Sequence, residues 1–167
     1  MALGKKVLLA IIIFFTLLLA YKFLAPEVRE SNNSLFESEK LFVTADNTQS
    51  SVNVGPKNIQ FSVDVANTDA SRQLGLSGRS RLDQSKGMVF VFDQPKNACF
   101  WMKDMKFDID ILWFDEDRKL VNIKKEATPV SYPESYCSGQ PAKYVLEILA
   151  GSVDRYEFKL GDKLSQL

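Results

Sequence analysis

Two acidic residues lie inside segments that are otherwise apolar, a setting in which carboxylates often do chemistry. Asp110 lies within FDIDILWF (residues 107–114), and Glu147 lies within YVLEILAG (residues 144–151). A carboxyl group in apolar surroundings must find a partner, because otherwise burial disfavours its charged form and raises its pKa. If both groups converged on one open pocket, about 5–10 Å apart, they would form the acid and base of a glycosidase-like hydrolase.

The same two residues also have a purely structural interpretation. On a strand, Asp110 would lie where a polar face becomes apolar, and an ion pair would tie it to the rest of the fold. Its candidate partners are three cations: Arg72, Arg79 and Lys103. Glu147 would share a strand face with Val145 and Leu149, where a backbone group or an arginine would have to satisfy its carboxyl group.

A second group of residues could bind a ligand without reacting with it. Trp101, Met102 and Met105 offer a surface on which rings or apolar ligands pack, although core packing is an alternative use for all three. With the neighbouring charges they define the candidate binding residues: Arg72, Arg79, Trp101, Met102, Lys103, Asp104, Asp110 and Glu147. A Ser-Lys dyad of loop serines with Lys86 or Lys103 is a further possibility, although serines in a polar loop usually have no such role.

Composition excludes several kinds of chemistry. The 167 residues include no histidine, so Ser-His-Asp and Cys-His catalytic groups are impossible. The 21 basic and 21 acidic residues cancel, which leaves no basic footprint for a nucleic-acid partner. Two cysteines without a histidine make a poor zinc site, and we expect neither a metal nor a cofactor.

The N-terminal segment predicts a membrane anchor. Within residues 1–25, Lys5 and Lys6 form a basic pair near the N-terminus, and the apolar stretch 7–25 carries a single charge. As a helix this stretch would be about 28 Å long, which matches the hydrocarbon core of a bilayer and favours a retained single-pass helix. A cleaved signal peptide, which would leave a secreted protein, is the alternative, but cleavage after Ala20 or Ala25 would place a bulky residue at the −3 position. In either case the lysines stay in the cytoplasm, and the rest of the chain faces the periplasm or the exterior.

A location outside the cytoplasm favours a disulfide bond between the only two cysteines, Cys99 and Cys137. A closed loop of about 38 residues would contribute roughly 3–4 kcal/mol in the chain-entropy model. The bond would hold the loop 131–137 against the strand 99–103 and would stiffen the rim beside Trp101. Two free thiols are the alternative.

The chain behind the anchor divides into a tether and a domain. Residues 26–57 are rich in Asn, Ser, Glu and Lys, which predicts a mostly extended tether. Residues 58–167 are then long enough to bury one hydrophobic core.

Hydrophobic patterning within the domain predicts many short strands and little helix. The strands are expected at 59–65, 87–92, 99–103, 107–115, 120–123 and 142–150. Thr68 is expected to cap a short helix that ends at Gly75 or Gly78, and residues 93–97 predict a turn. The fold class is therefore mostly β (α+β): a small barrel-like or sandwich-like sheet with one or two short helices, preceded by an N-terminal transmembrane helix.

Five segments occur in an order and at distances that are similar to those of a known family. They are GLSGRSRL (75–82), GMVFVF (87–92), FWMKDMKFDIDILWFD (100–115), AKYVLEILAG (142–151) and LGDKL (160–164). Together they resemble the bacterial and archaeal family known as domain of unknown function 192, over about residues 59–164. The resemblance implies a small mostly-β domain, often behind a signal or membrane anchor, with no settled activity.

Four positions depart from the pattern of that family. Ser77 stands where Met is usual, Asp104 where Asn is usual, Asp108 where Pro is usual, and Arg118 where a turn Gly is usual. A function that depended on the usual Asn or Met would not transfer to this chain.

Together these observations predict a membrane-anchored domain of the cell envelope that binds a ligand without turnover. The expected groove consists of three residues and one segment: Trp101, Met102, Lys103 and 72–79. Its occupant would be an envelope component, a small molecule or a partner protein. One alternative is a histidine-free envelope hydrolase that uses Asp110 and Glu147. Another is a structural accessory protein whose charged residues only stabilise the fold.

Overall fold

The structure is a computed structural model, and it describes residues 49–167. The predicted membrane segment 1–25 and most of the predicted tether 26–57 lie outside the described residues. Neither helix within 49–167 has the length or the apolar run that a bilayer crossing requires.

The described region contains nine strands and two short helices. In chain order they are β1 (Gln49–Val54), β2 (Ile59–Ala66), α1 (Asp69–Leu74), β3 (Lys86–Lys96), β4 (Cys99–Trp101), β5 (Ile109–Phe114), β6 (Leu120–Ala127), β7 (Ser135–Cys137), β8 (Ala142–Leu149), α2 (Ser152–Tyr156) and β9 (Leu164–Ser165). One 3₁₀ turn, Pro129–Ser131, lies between β6 and β7. The prediction of a mostly-β fold with one or two short helices is confirmed.

Seven of the strands form one sheet in the order β6-β5-β8-β3-β2-β1-β9, and β4 pairs separately with β7. The β2–β3 pair is parallel, and the other pairs are antiparallel. The chain before β9 returns to the opposite edge of the sheet, where the N–H of Leu120 donates to the carbonyl of Asp162 at 2.7 Å. The N–H of Gly161 donates back to the carbonyl of Leu120 at 2.8 Å. The sheet is therefore curled into a half-barrel, which corresponds to the barrel-like form of the predicted architecture.

Both faces of the curled sheet are covered by apolar packing. One cluster includes residues of both edge strands and therefore lies inside the curl; its members include Val54, Phe61, Leu112, Phe114, Leu120, Leu146, Ile148 and Leu164. A second cluster lies on the outer face; its members include Leu76, Met88, Phe90, Met102, Ile109, Ile111, Trp113 and Val145. Because β5 is buried on both faces, all six of its residues are buried. The segment after α1 and the β4–β7 ribbon supply the cover for the outer face.

Local signals in the sequence explain several of the boundaries and miss others, including β7, β9 and the extension of β6 to Ala127. Thr68 caps α1 as predicted, since its hydroxyl accepts the N–H of Ser71 at 3.1 Å, and the helix ends at Gly75. β1 lies within the segment assigned from sequence to the tether, and it pairs with β2 along its whole length. β3 runs to Lys96, through the predicted turn at 93–97, because its pairing with β8 resumes at Lys96 after an irregularity.

Candidate functional site

Asp110 is fully buried and is satisfied by two backbone groups. Its Oδ1 accepts the N–H of Glu126 at 2.9 Å, and its Oδ2 accepts the N–H of Val153 at 2.8 Å. Glu126 belongs to a bulge in β6, where two residues lie opposite Asp110 alone. Val153 lies in the first turn of α2, where N–H groups have no partner inside the helix. The carboxylate therefore stabilises the bulge and the start of α2.

The three cations predicted as partners of Asp110 bind elsewhere. Arg79 forms an ion pair with Asp64 at 2.7 Å, and Arg72 forms one with Asp69 at 2.7 Å. The Nζ of Lys103 lies 5.9 Å from the ring centroid of Trp101. The predicted ion pair of Asp110 is therefore wrong, and backbone donors take its place.

Asp110 and Glu147 point to opposite faces of the sheet. In the β5–β8 ladder, Asp110 lies opposite Ile148, and Glu147 lies opposite Ile111. Residues directly opposite each other share a face, and successive residues alternate. Asp110 therefore points into the curl, whereas Glu147 points outward. The hydrolase hypothesis required both carboxyl groups in one pocket, and this geometry excludes that arrangement.

A pocket of about 350 Å³ opens on the outer face of the sheet, between β3, the α1 segment and β4. Four aromatic rings contribute to its walls: Phe90, Phe92, Phe100 and Trp101. Phe90 and Phe100 meet edge to face, with ring centroids 4.8 Å apart. The chain leaves α1 close to the Phe90 ring. Gly75 permits this approach because its φ is +52°, and a Cβ there would lie 3.4 Å from the ring. The aromatic floor and the turn at Gly75 together shape the pocket.

Glu147 is the buried polar group of this pocket. Its side chain is 5% exposed and lies in a row with Met88 and Ile111 of the neighbouring strands. Burial raises its pKa to about 8, although the positive charge of Arg79 opposes the shift. Within residues 49–167, no hydrogen bond or ion pair reaches the carboxyl group. The predicted position of Glu147 in an apolar row is confirmed, and the part of the chain that the structure describes supplies it no direct partner.

Two cations lie at the mouth of the pocket. The guanidinium of Arg72 donates to the carbonyl oxygens of Asn67 at 2.7 Å and Val91 at 2.8 Å, besides its ion pair with Asp69. The hydrogen bond and charge of Arg72 lower the pKa of Asp69. The Nζ of Lys96 lies 4.2 Å from the ring centroid of Phe92. Arg72 is thus held in place by the protein, whereas Lys96 rests on a ring at the pocket entrance.

The predicted groove residues separate into lining and non-lining positions. Trp101 and Arg72 line the pocket, as do the residues from Gln73 to Ser77. Met102 is 1% exposed and belongs to the outer-face core, so the core-packing alternative is the observed one. Lys103 and Asp104 are exposed and, like Arg79, do not line the pocket.

The two cysteines are opposite residues in the β4–β7 ladder, and their sulfur atoms lie at bonding distance, 2.04 Å. The predicted disulfide is therefore present. It joins the ribbon that carries Trp101 and Phe100, and Cys99 itself lines the pocket. Trp101 contacts Tyr132 of the loop before β7, with ring centroids 6.1 Å apart. The disulfide thus holds one wall of the pocket, as expected for the rim beside Trp101.

Sequence reasoning missed four residues of the pocket lining, Phe90, Phe92, Lys96 and Phe100, whereas Met105 lines the pocket and was a groove candidate. Phe90 and Phe92 share the strand face of Met88, which is paired with Glu147. Their period-2 spacing was readable from sequence. The sequence alone does not show that Phe90 and Phe92 share a face with Glu147, because this depends on which residues of β3 and β8 are paired. No group of three or more Cys, Asp or Glu side chains within residues 49–167 lies close enough to hold a metal ion.

Two of the departures from the family pattern lie at positions with left-handed backbone. Asp104 has a φ of 57°, and Arg118 has a φ of 61°. Asn and Gly adopt this conformation more readily than other residues, which accounts for the residues that are usual there. Asp108 uses its carbonyl to accept the N–H of Ala150 at 3.2 Å, a contact that a proline would also permit. None of these three residues lines the pocket, whereas Ser77, the fourth departure, does.

The chain is similar in sequence and in fold to known proteins. The profile of a family described as uncharacterised ACR, domain of unknown function 192, matches residues 51–166. A structure from Sinorhizobium meliloti 1021, described as a candidate transcription regulator, is 27% identical, with 73% of this chain and 96% of that chain covered and a TM-score of 0.69. A protein of unknown function from Novosphingobium aromaticivorans DSM 12444 is 32% identical, with 69% and 83% covered and a TM-score of 0.66. No curated protein matches the chain.

Proposed function

We propose that this chain, which belongs to the family known as domain of unknown function 192, is a binding domain whose ligand enters the pocket above Glu147. The family has no assigned activity, so the proposal rests on the geometry of this chain. The observation that carries it is a buried carboxyl group in an aromatic pocket, without a direct partner among residues 49–167. Such a group is costly in the empty protein and becomes favourable when a ligand supplies its partner.

The size and lining of the pocket support a small ligand. Its volume of about 350 Å³ lies at the lower end of the range for ligand sites, which combine apolar and aromatic walls with a few polar groups. A small molecule, or one terminal group of a larger envelope component, fits this space.

The contents of the pocket support binding without turnover. Asp110 lies on the other face of the sheet and cannot act as the acid or base partner of Glu147. The other acidic residue of the pocket lining, Asp69, is engaged by Arg72 at 2.7 Å. The hydroxyl of Ser77, which lines the pocket, donates to the carbonyl of Lys103 at 2.9 Å and is therefore engaged.

The proposal places the domain outside the cytoplasmic membrane. Residues 1–25 would be a single-pass anchor, and the paired lysines at their start would keep that end in the cytoplasm. The paired positions of Cys99 and Cys137 fit an oxidising compartment. Release by signal cleavage would give the same domain in secreted form.

The description of the Sinorhizobium protein as a candidate transcription regulator suggests a different partner. Nucleic-acid binding depends on an excess of basic residues that neutralise phosphates. The 21 basic residues of this chain are balanced by 21 acidic ones, so its charge does not favour that partner. An envelope ligand therefore remains the proposed occupant.

Ligand binding is tested with a variant that fills the pocket. Gln73 is exposed and lines the pocket, so Gln73→Trp should block entry without removing a core contact. Glu116→Trp adds the same ring at an exposed residue outside the pocket lining and serves as the control. We expect small-molecule fragments detected by NMR to bind the full chain and Glu116→Trp, but not Gln73→Trp. Fragments that bind all three proteins equally would contradict the proposed site.

The proposed location of the domain outside the cytoplasm is tested in a separate experiment. A reporter phosphatase that is active only outside the cytoplasm, fused after Leu167, should be active and should sediment with membranes. A cytoplasmic or inactive fusion would contradict the proposed orientation, and an active fusion in the medium would indicate the secreted form.

A further inference from the structure

Glu147 lies in a row of side chains that offers it no hydrogen-bond donor. The row crosses the outer face from Asp64 on β2 through Met88 on β3 and Glu147 on β8 to Ile111 on β5. The immediate neighbours, Met88 and Ile111, are apolar and buried. The open side of the carboxyl group therefore faces the pocket.

The charged groups around this pocket belong to three elements, and most are already paired. Arg79, from the segment after α1, is held by Asp64 at 2.7 Å. Arg72 of α1 is held by Asp69 and by two carbonyl groups. Lys96, at the end of β3, lies against the Phe92 ring at the mouth. None of these cations forms an ion pair with Glu147, so within residues 49–167 a ligand cation would be the partner of its ionised form.

We infer that the pocket takes an organic cation, namely a molecule with a small apolar body and a protonated amine that pairs with Glu147. This inference rests on the proposed function, since it names the class of ligand for the same site. An ammonium group would supply both the opposite charge and the hydrogen-bond donors that the described part of the chain does not provide. The rings of Phe90, Phe100 and Trp101 would contact the apolar body, and aromatic faces also attract cations.

The burial of Glu147 should also make the binding of amines depend on pH. Because the pKa of the free carboxyl group is raised to about 8, most of the protein carries a proton there at neutral pH. Binding of an amine requires the ionised form, so that proton must be released to solvent. Affinity for amines should therefore rise as the pH approaches about 8. Arg79 opposes the raised pKa, and its pairing with Asp64 limits this effect.

The test uses three probes that share a phenyl ring on a short chain: phenethylamine, 2-phenylethanol and phenylacetate. Each is titrated into the full chain at pH 8 by calorimetry. We expect the amine to bind at least about tenfold more tightly than the alcohol, and phenylacetate to bind most weakly. Glu147→Gln should weaken the amine by about tenfold or more and leave the alcohol within about twofold. Glu116→Gln removes an exposed carboxylate outside the pocket and should change neither affinity.

The outcomes separate this inference from the proposed function. If the alcohol or phenylacetate binds as tightly as the amine, or if Glu147→Gln keeps the affinity for the amine, the cation inference is overturned while a binding pocket remains. If none of the probes binds, the inference fails. The proposed function also fails if every fragment that binds the unmodified chain still binds Gln73→Trp, or if no fragment binds at all. The comparison of amine with alcohol needs only the unmodified chain, so it decides the matter even if Glu147→Gln does not fold.

Discussion

Asp110 and Glu147 lie on paired strands, one position apart in register, and their side chains point to opposite faces of the sheet. Two carboxyl groups close in the sheet thus have different roles. Asp110 is satisfied by the N–H groups of Glu126 and Val153. Glu147 has no such donors within 49–167 and faces a pocket. Asp110 therefore has a structural role, and Glu147 is the candidate ligand-binding residue.

Replacement of Asp110 should destabilise the protein without affecting the pocket. Asp110→Asn keeps the shape of the side chain, but its amide group cannot accept from both backbone N–H groups. We expect the free energy of unfolding to fall by about 1.5–3 kcal/mol, the usual worth of hydrogen bonds to a charged group. Urea unfolding measures the change, and Asp108→Asn, at an exposed position nearby, should be nearly neutral. Equal stability of the two variants would show that Asp110 does not have the structural role assigned to it.

Glu147 should make the stability of the protein fall with pH. Its carboxyl group has a pKa of about 8 when folded and an ordinary value of 4.5. The folded state therefore binds a proton more tightly, and the stability that this contributes is complete below 4.5 and is lost as the pH rises to about 8. Within that window the free energy of unfolding should fall by about 1.4 kcal/mol per pH unit from this group alone.

The matched pair Glu147→Gln and Glu116→Gln isolates this contribution in urea unfolding at pH 5, 6, 7 and 8. Glu147→Gln should lose the slope and should be the more stable protein at pH 8. Glu116→Gln should keep the slope of the unmodified chain. A parallel pH dependence in all three proteins would mean that Glu147 is not buried without a partner.

Reduction of the disulfide should weaken both the fold and the pocket. The bond between Cys99 and Cys137 closes a loop with a sequence separation of 38, and its loss should cost roughly 3–4 kcal/mol of stability. Fragment affinity should also fall, because the bonded ribbon carries Phe100 and Trp101. Urea unfolding with and without reductant measures the loss, and the double variant Cys99→Ser, Cys137→Ser should not respond to reductant. Alkylation of both cysteines in the untreated native protein would contradict the prediction.

The left-handed turn at Arg118 should be strained. Arg118→Gly and Arg118→Ala both remove the side chain and its contact with the Tyr144 ring, but only glycine relieves the φ of 61°. We expect the glycine variant to be more stable than the alanine variant by about 1 kcal/mol. Thermal or urea unfolding of the pair measures this difference directly. An alanine variant as stable as the glycine variant would show that the turn is not strained.

Much of the fold follows from local patterns in the sequence. The cap at Thr68, the buried runs of β3, β5 and β8, and the pairing of the two cysteines were all predictable, because each depends on neighbouring residues or on compartment. β1 was missed because polar residues of the segment QSSVNV hide its alternation. The extension of β3 to Lys96 was missed because the Pro and Asp that signal a turn are tolerated at the irregularity opposite β8.

The site was less predictable because it depends on strand register. The sequence marks Asp110 and Glu147 as unusual, but the opposite orientation of their side chains depends on which residues of β5 and β8 face each other. The same register brings Phe90 and Phe92 onto the face of Glu147. Of the candidate binding residues, Trp101 and Arg72 line the pocket, whereas Met102 belongs to the outer-face core.

The measurement that tests the account most directly is the titration of Glu147 itself. The full chain is labelled with ¹³C at the glutamate carboxyl carbons, and the Glu147 signal is identified by its loss in Glu147→Gln. We predict a midpoint near pH 8 in the free protein and a shift to lower pH when phenethylamine is added. A midpoint near the ordinary value of 4.5 that does not move with the amine would contradict the account, because Glu147 would then be solvated and would not contact the ligand.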